Sequence, residues 1–296
     1  MIALTFKGMI RLLLRPLYRL IFIRLFRVWE RMGFHITLNH FYQPIPDTRS
    51  LREELWSRRS ELVGLQMNER AQLRLLEEFM GFKEEYDLLS SHPNFGPVDT
   101  EVLYCMVRYF KPRRIIEIGS GHSTRISAKA ILRNEEEGYS CELIAIDPYP
   151  DETLRHGFPG LSKLISAKVE EIDLSEFAKL RGNDILFIDS SHVLRIGGDV
   201  QCEYLEILPR LAKGVVVHLH DIFLPMEYPR EWVLGMYRFW NEQYLLQAFL
   251  AFNDAFEVLW AGSYMHLNHP ERLRMAFGSY DGEKVWPSSF WMRRKP

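Results

Sequence analysis

Two short segments concentrate the side chains that could do chemistry. IDSSH (188–192) holds Asp189 and His192, and HLHD (218–221) holds His218, His220 and Asp221. Each closes an apolar run, DILFIDS (184–190) and GVVVHLHD (214–221), of the kind that forms a buried strand. In a parallel sheet the C-terminal strand ends open on a single crevice, so two chemically loaded tips arrive there together. Asp189 and Asp221 are hard oxygen donors suited to Mg²⁺, while His220 adds an imidazole, a ligand that favours Mn²⁺, Fe²⁺ or Zn²⁺. These three form the expected metal site. His192, with an ordinary pKa near neutrality, is the expected general base. His218 lies on the same side of its strand as His220 but deeper, and is expected as a hydrogen-bonded core residue.

A second set of signals precedes them. EIGSGHST (117–124) stands between the strand RRIIEIG and the helix that follows, and its two glycines remove the Cβ atoms that would keep a ligand from the backbone. The next strand, CELIAID (141–147), ends in Asp147, 26 residues after Gly121, where a carboxylate can accept from both hydroxyls of a ribose. A dinucleotide fingerprint would need a third glycine at Thr124, which counts against NAD.

The elements that must position these groups alternate. Strands are expected at 113–119, 141–147, 163–168, 184–190, 214–221, 256–262 and 288–294, with helices over 123–133 and 199–211 between them. This β-α-β rhythm over 110–262 calls for a parallel sheet covered on both faces. Ahead of it, the charged, periodic stretch 51–82 reads as one helix, and Asp99 is placed to cap a helix over TEVLYCMVRYF. Three regions follow: a basic amphipathic helix (1–34), a linker and helical cap (35–94), and the α/β domain (95–296).

EIGSGHST, the IDPY at 146–149, the acid-tipped fourth strand and LPRLAKG (208–214) before the fifth resemble the class I S-adenosylmethionine-dependent methyltransferases over roughly 95–294. The resemblance implies an α/β, doubly wound, mostly parallel seven-stranded Rossmann-like sheet with S-adenosylmethionine as cofactor. Glu117, Gly119 and Gly121 would line its methionine and ribose, Ser123 would lie close by, and Asp147 would hold the ribose. The strand tips further resemble metal-dependent O-methyltransferases of the catechol and macrolide-sugar type. There an acid after strand four and an acidic pair after strand five bind Mg²⁺, and a histidine in an IDxxSH-like turn is the proposed base. Asp189, Asp221 and His192 stand at those positions; His220 departs from the pattern, standing where the relatives carry an acid. The activity implied is methylation, on oxygen, of a small or membrane-associated acceptor, assisted by a divalent metal. Two other readings stay open: a non-heme Fe(II) oxygenase using two of these histidines and one carboxylate, and a membrane-associated protein that binds cofactor without turnover.

Composition narrows the partners. Of 296 residues 47% are hydrophobic and 26% charged, the balance of a folded globular chain. Cys105, Cys141 and Cys202 form no CxxC pair, which points to a reducing, cytoplasmic setting. Residues 1–31 carry Lys7, Arg11, Arg15, Arg19, Arg24, Arg27 and Arg31 against Glu30, a charge of +6, so a chain of net −2 has a body of −8. An acidic body argues against nucleic acid. Between those cations lie Ile10, Leu13, Leu14, Leu17, Ile21, Phe22, Leu25, Phe26 and Trp29, too interrupted by arginine to span a bilayer. The pattern fits a helix lying on the inner face of the membrane, or one packed on the body or on a second copy of the chain. The loops FYQPIPD (41–47) and MEYPREW (226–232) are candidate lids, with Tyr228 and Trp232 as walls of an apolar acceptor pocket.

Overall fold

Strands that are apolar on both faces can only be stable inside two helical layers, and that is the arrangement found. The structure is a computed structural model that describes residue 17 and residues 20–87, 89 and 95–295. Seven strands run β1 (Arg114–Ile118), β2 (Glu142–Ile146), β3 (Lys163–Ile165), β4 (Ile185–Ile188), β5 (Val216–Leu219), β6 (Phe256–Ala261) and β7 (Phe290–Arg294). Their order in the sheet is β3-β2-β1-β4-β5-β7-β6. The first five are parallel, and β7 runs antiparallel between β5 and β6. The doubly wound seven-stranded sheet expected from the sequence is therefore the fold.

The chain divides into two compact units, Met1–Leu55 and Trp56–Pro296. In the first, the described part of the leader is a π-helical turn, Leu20–Arg24, followed by a short helix α1 (Phe26–Arg31), and neither buries a side chain. Trp29 closes the turn by donating its indole N–H to the Ile21 carbonyl at 2.8 Å. Lys7, Ile10, Arg11, Leu13, Leu14, Arg15 and Arg19 of the expected amphipathic helix lie outside the described residues. No helix among the described residues is long and apolar enough to cross a membrane.

In the second unit, helices α2 (Glu69–Phe79), α3 (Pro97–Phe110) and α4 (His122–Glu136) cover one face of the sheet. Leu76, Phe79, Val102, Met106, Ile126 and Ile131 pack there against Ile115, Phe187 and Trp291. The opposite face, with Ile116, Leu186, Val217 and Met292, is covered by the segment after β4 and by helix α6 (Glu242–Leu250). That segment begins as α5 (Asp199–Cys202) and tightens through a π turn (Glu203–Ile207) into a 3₁₀ turn (Leu208–Arg210) instead of forming one regular helix.

Two local expectations are corrected. The stretch 51–82 is not one helix: Leu62 (φ 49°), Gly64 (φ 79°) and Asn68 (φ 49°) are left-handed, so a 3₁₀ turn at Glu53–Trp56 and a loop precede α2. Periodic charge favoured a helix, but the chain bends at Gly64, over which the Phe252 ring lies so closely that a Cβ would collide with it. Asp99 does not cap α3 from outside; it sits in its first turn, buried, where its carboxylate accepts from the backbone N–H groups of Ser288 and Ser289 at 3.0 Å each. It thereby ties α3 to the start of β7.

The parallel ladder continues past the strand ends. The Gly119 N–H bonds the Ile146 carbonyl (2.9 Å), the Asp189 N–H bonds Ile118 (2.9 Å) and the His220 N–H bonds Ile188 (3.1 Å). Gly119, Asp189 and His220 thus form one row along the sheet's C-terminal edge. At Gly119 (φ 78°) a Cβ would lie inside the Asp189 carbonyl. A Gly119→Ala variant is expected to lose about 1–3 kcal/mol or more of stability, from backbone overlap and the left-handed φ together. Chemical denaturation of parent and variant would measure this.

Candidate active site

At the sheet edge the ligand atoms of Asp189, His192 and Asp221 all lie within 4.8 Å of one another. The His192 Nε2 is 3.3 Å from Asp189 Oδ1 and 3.6 Å from Asp221 Oδ2. Neighbouring ligands on an octahedral ion with bonds of about 2.1 Å stand roughly 3.0 Å apart, so a small inward adjustment would place all three on one cation. Two of the three residues have left-handed backbones without being glycine: His192 (φ 59°) and Asp221 (φ 54°). Such conformations cost of order 1 kcal/mol or more and persist where the surroundings impose them, often at functional sites.

The imidazole of His192 is fixed from behind. Its Nδ1 lies 2.9 Å from Glu242 Oε2, and its carbonyl accepts from the N–H groups of Asn241 (3.1 Å) and Glu242 (3.2 Å) at the start of α6. The other Glu242 oxygen accepts from the Tyr204 hydroxyl at 3.2 Å. Glu242 is 1% exposed, so its charge is answered by these groups and not by water. Burial would lower the His192 pKa, but its bonds to Asp189 and Glu242 outweigh burial and raise it well above the ordinary value. Burial likewise works to raise Asp189, and the facing imidazoles of His220 and His192 hold it below the usual carboxylate range. Nearby Glu203 is fully buried, and burial together with the Glu242 charge keeps it protonated; its Oε2 accepts from the Ser190 hydroxyl at 3.1 Å.

His220, expected as a metal ligand, is not among the three converging groups. Its ring stacks on Phe95 with centroids 4.7 Å apart, and its Nε2 is 3.6 Å from the other Asp221 oxygen, Oδ1. His218 is a core residue, as expected, but not a hydrogen-bonded one. It lies between Phe187 (3.9 Å) and Trp291 (4.7 Å), both ring nitrogens are unpartnered, and burial keeps it neutral. The converging set is one imidazole with two carboxylates, the reverse of the two-histidine, one-carboxylate triad of an Fe(II) oxygenase.

The glycine turn presents a second group of donors. Glu117 is fully buried; its Oε1 accepts from the Ser123 hydroxyl at 2.5 Å, while its Oε2 has no partner. Burial pushes its carboxyl up to about 8. Ser123 thus supports Glu117 from behind. Gly121 opens on free space. Asp147 accepts from the Ser120 N–H (3.0 Å) and hydroxyl (2.8 Å) and from the Tyr149 N–H (2.7 Å), which leaves about one of a carboxylate's four lone-pair positions open.

Beside Asp189 and Asp221 lies a cavity of about 960 Å³, walled by Phe223, Trp232, Trp240 and Trp286. Trp232 and Pro229 bring the 226–232 loop into its wall. Tyr228 does not join them: it is 2% exposed, and its hydroxyl accepts from the Gln243 N–H at 3.1 Å. Arg125, in the helix after the glycine turn, pairs with Asp151 at 3.2 Å.

Residues 116–222, from β1 to the tip of β5, match the family model of a methyltransferase domain. That match spans the glycine turn and both loaded strand tips. An uncharacterized protein of Archaeoglobus fulgidus is 28% identical over 192 residues, 58% of this chain and 86% of the relative. Among solved structures, a putative methyltransferase from Thermobifida fusca is similar at 15% identity and a TM-score of 0.43, over 76% of this chain and 94% of that one. The Mg-SAM structure of CmcI is similar at 18% identity and a TM-score of 0.37, over 68% and 73% of the respective chains.

Glu242 is the residue of this site that sequence reasoning missed. It lies 50 residues beyond His192 in a helix start, NEQYLL, that carries no motif. Glu117 offers a direct check of the electrostatics. Its folded pKa lies above the unfolded value of about 4.5, so the native state holds an extra proton between those pH values and loses stability as pH rises from about 4.5 to about 8. Glu117→Gln, neutral at every pH, is expected to match the parent near pH 4.5 and to exceed it in Tm by a growing margin up to pH 8. A margin that stays constant with pH would show the carboxyl to be ionised throughout.

Proposed function

We propose that the protein is an S-adenosylmethionine-dependent methyltransferase that methylates a hydroxyl group of a small acceptor, with a divalent cation held by Asp189, His192 and Asp221. The observation that carries this reading is the convergence of those three donors on the sheet edge that also bears Gly119, with His192 fixed by Glu242. When bound, S-adenosylmethionine supplies an electrophilic sulfonium methyl group. A cation held by these residues would supply Lewis-acid chemistry, lowering the pKa of an acceptor hydroxyl.

The chain's own residues do the rest. The free Oε2 of Glu117 receives the cofactor's ammonium, whose charge compensates the burial that otherwise keeps this carboxyl protonated. Gly121 gives the cofactor room at the backbone, and the open lone pair of Asp147 takes a ribose hydroxyl. Glu242 accepts the Nδ1–H of His192, which turns Nε2 toward Asp189 and Asp221, where it would offer its lone pair once a cation displaces its proton. Only that nitrogen is available. His192 therefore acts as a ligand while a cation is held, and the role of general base falls to it only without one.

Titration calorimetry on chelator-stripped protein separates the parts. S-adenosylmethionine is expected to bind, and Asp147→Ala to weaken it about 10- to 100-fold, the worth of a hydrogen bond to a charged group. Mn²⁺ is expected to give a separate heat that disappears in Asp189→Asn and Asp221→Asn while cofactor binding persists. Equal Mn²⁺ binding in parent and variants would overturn the metal site, and full methyl transfer in excess chelator would return His192 to the role of base.

The leader is part of the same proposal, as a contact with an anionic membrane surface that brings the enzyme to a membrane-associated acceptor. What supports it is the exposure of Arg24, Arg27 and Arg31 together with that of Ile23, Phe26 and Val28. Each arginine near such a surface contributes about 1 kcal/mol. Co-sedimentation with phosphatidylserine vesicles at low salt is expected, and its loss when the three arginines are changed to glutamate. Equal sedimentation of the variant would remove the membrane from the account.

A further inference from the structure

The cavity beside Asp189 and Asp221 has two unlike ends. Its inner end is acidic: Asp189, Asp221 and Asp99 line it, and the Ser288 hydroxyl bonds Asp221 Oδ1 at 3.2 Å. Its outer end carries Arg238 and Lys284. A chain of contacts joins the two. The Trp240 ring lies 4.3 Å from the His192 ring, and the Arg238 guanidinium lies 5.1 Å from the Trp240 ring and 5.1 Å from the Trp232 ring. The opposite wall connects the ends as well, since Lys284, Trp286 and Ser288 follow one another from the rim to Asp221.

We propose that the acceptor is a planar aromatic hydroxy compound that carries a negatively charged group, with the hydroxyl at the acidic end and the anion on Arg238. The proposal rests on the methyltransferase reading above and deepens it. Three observations combine. Trp232, Trp240 and Trp286 give the cavity flat apolar walls, the surroundings that favour a planar ring. No carboxylate among the described residues pairs with Arg238, whereas the buried Arg108 is matched by both Glu85 and Glu137. A guanidinium braced on two indoles and left without a counter-charge is preorganised to take a carboxylate or a similar oxyanion through two parallel N–H bonds. Lys284 adds a second cation at the same rim, paired among the described residues with Asp281 at 3.5 Å.

Size and sign narrow the class further. A volume of about 960 Å³ lies at the upper end of ligand pockets, so a single hydroxylated ring leaves much of it unfilled. A cationic acceptor would be repelled at the rim, and a neutral one would leave the Arg238 charge unanswered.

The test uses the full chain loaded with S-adenosylhomocysteine and Mg²⁺, and two probes of one shape: 6,7-dihydroxynaphthalene-2-carboxylate and its neutral 2-carboxamide. Calorimetry is expected to give about tenfold tighter binding of the carboxylate, as for one charge-assisted contact. Arg238→Met is expected to abolish that preference while leaving the amide within about twofold of its parent affinity, and Lys284→Met to reduce the preference in part. Equal affinity of the two probes for the parent protein, equal weakening of both by Arg238→Met, or binding of neither probe would overturn the proposal. The comparison of probes on the parent protein needs no variant to fold. Binding of S-adenosylhomocysteine, measured in the same samples, separates the two levels. Its presence without any anion preference sinks the acceptor class alone, and its absence sinks the methyltransferase reading beneath it.

Discussion

The contact between Glu242 and His192 is the constraint on which the rest of the site depends. Asp189, Asp221, Glu242 and Glu203 all carry carboxyl groups to one edge of the sheet, and such a group can be buried only if it is paired, hydrogen-bonded or neutral. Glu203 meets the requirement by keeping its proton. Glu242 meets it by taking the Nδ1 edge of His192 and the Tyr204 hydroxyl. That choice fixes the imidazole, so its other nitrogen faces Asp189 and Asp221.

The fold supplies the frame for this contact. Parallel register brings Gly119, Asp189 and His220 into one row, and the absence of a side chain at Gly119 lets the β1 and β4 ends close on each other. The row alone does not make the site. The left-handed turns at His192 and Asp221 carry their side chains off the line of the strands and toward one point. The helix that presents Glu242 is anchored to the same loop through the His192 carbonyl. Asp99 performs a comparable service on the far side, holding the start of β7 so that Ser288 reaches Asp221.

Much of this was legible in the sequence for identifiable reasons. Continuous β-branched runs marked the central strands, and polar residues at their ends marked the crevice, because both follow from which atoms can be buried. What sequence could not supply was direction. Strand alternation puts His220 on the same side as His218, but nothing local says that Phe95 will stack on it or that the next residue turns left-handed. The partnership of His192 with Glu242 spans 50 residues and leaves no periodic trace. The break at Gly64 in the charged stretch before α2 depends on a ring, Phe252, nearly two hundred positions away.

The central claim is that one imidazole and two carboxylates form a single cation site, oriented by Glu242, at the point where acceptor and cofactor meet. Electron spin-echo spectroscopy of the Mn²⁺-loaded protein with S-adenosylmethionine tests it most directly, by detecting a nitrogen bound to the ion. The account predicts modulation from one imidazole nitrogen that shifts when histidine is ¹⁵N-labelled and vanishes in His192→Gln. Manganese bound with no nitrogen modulation, or modulation that survives in that variant, would contradict it.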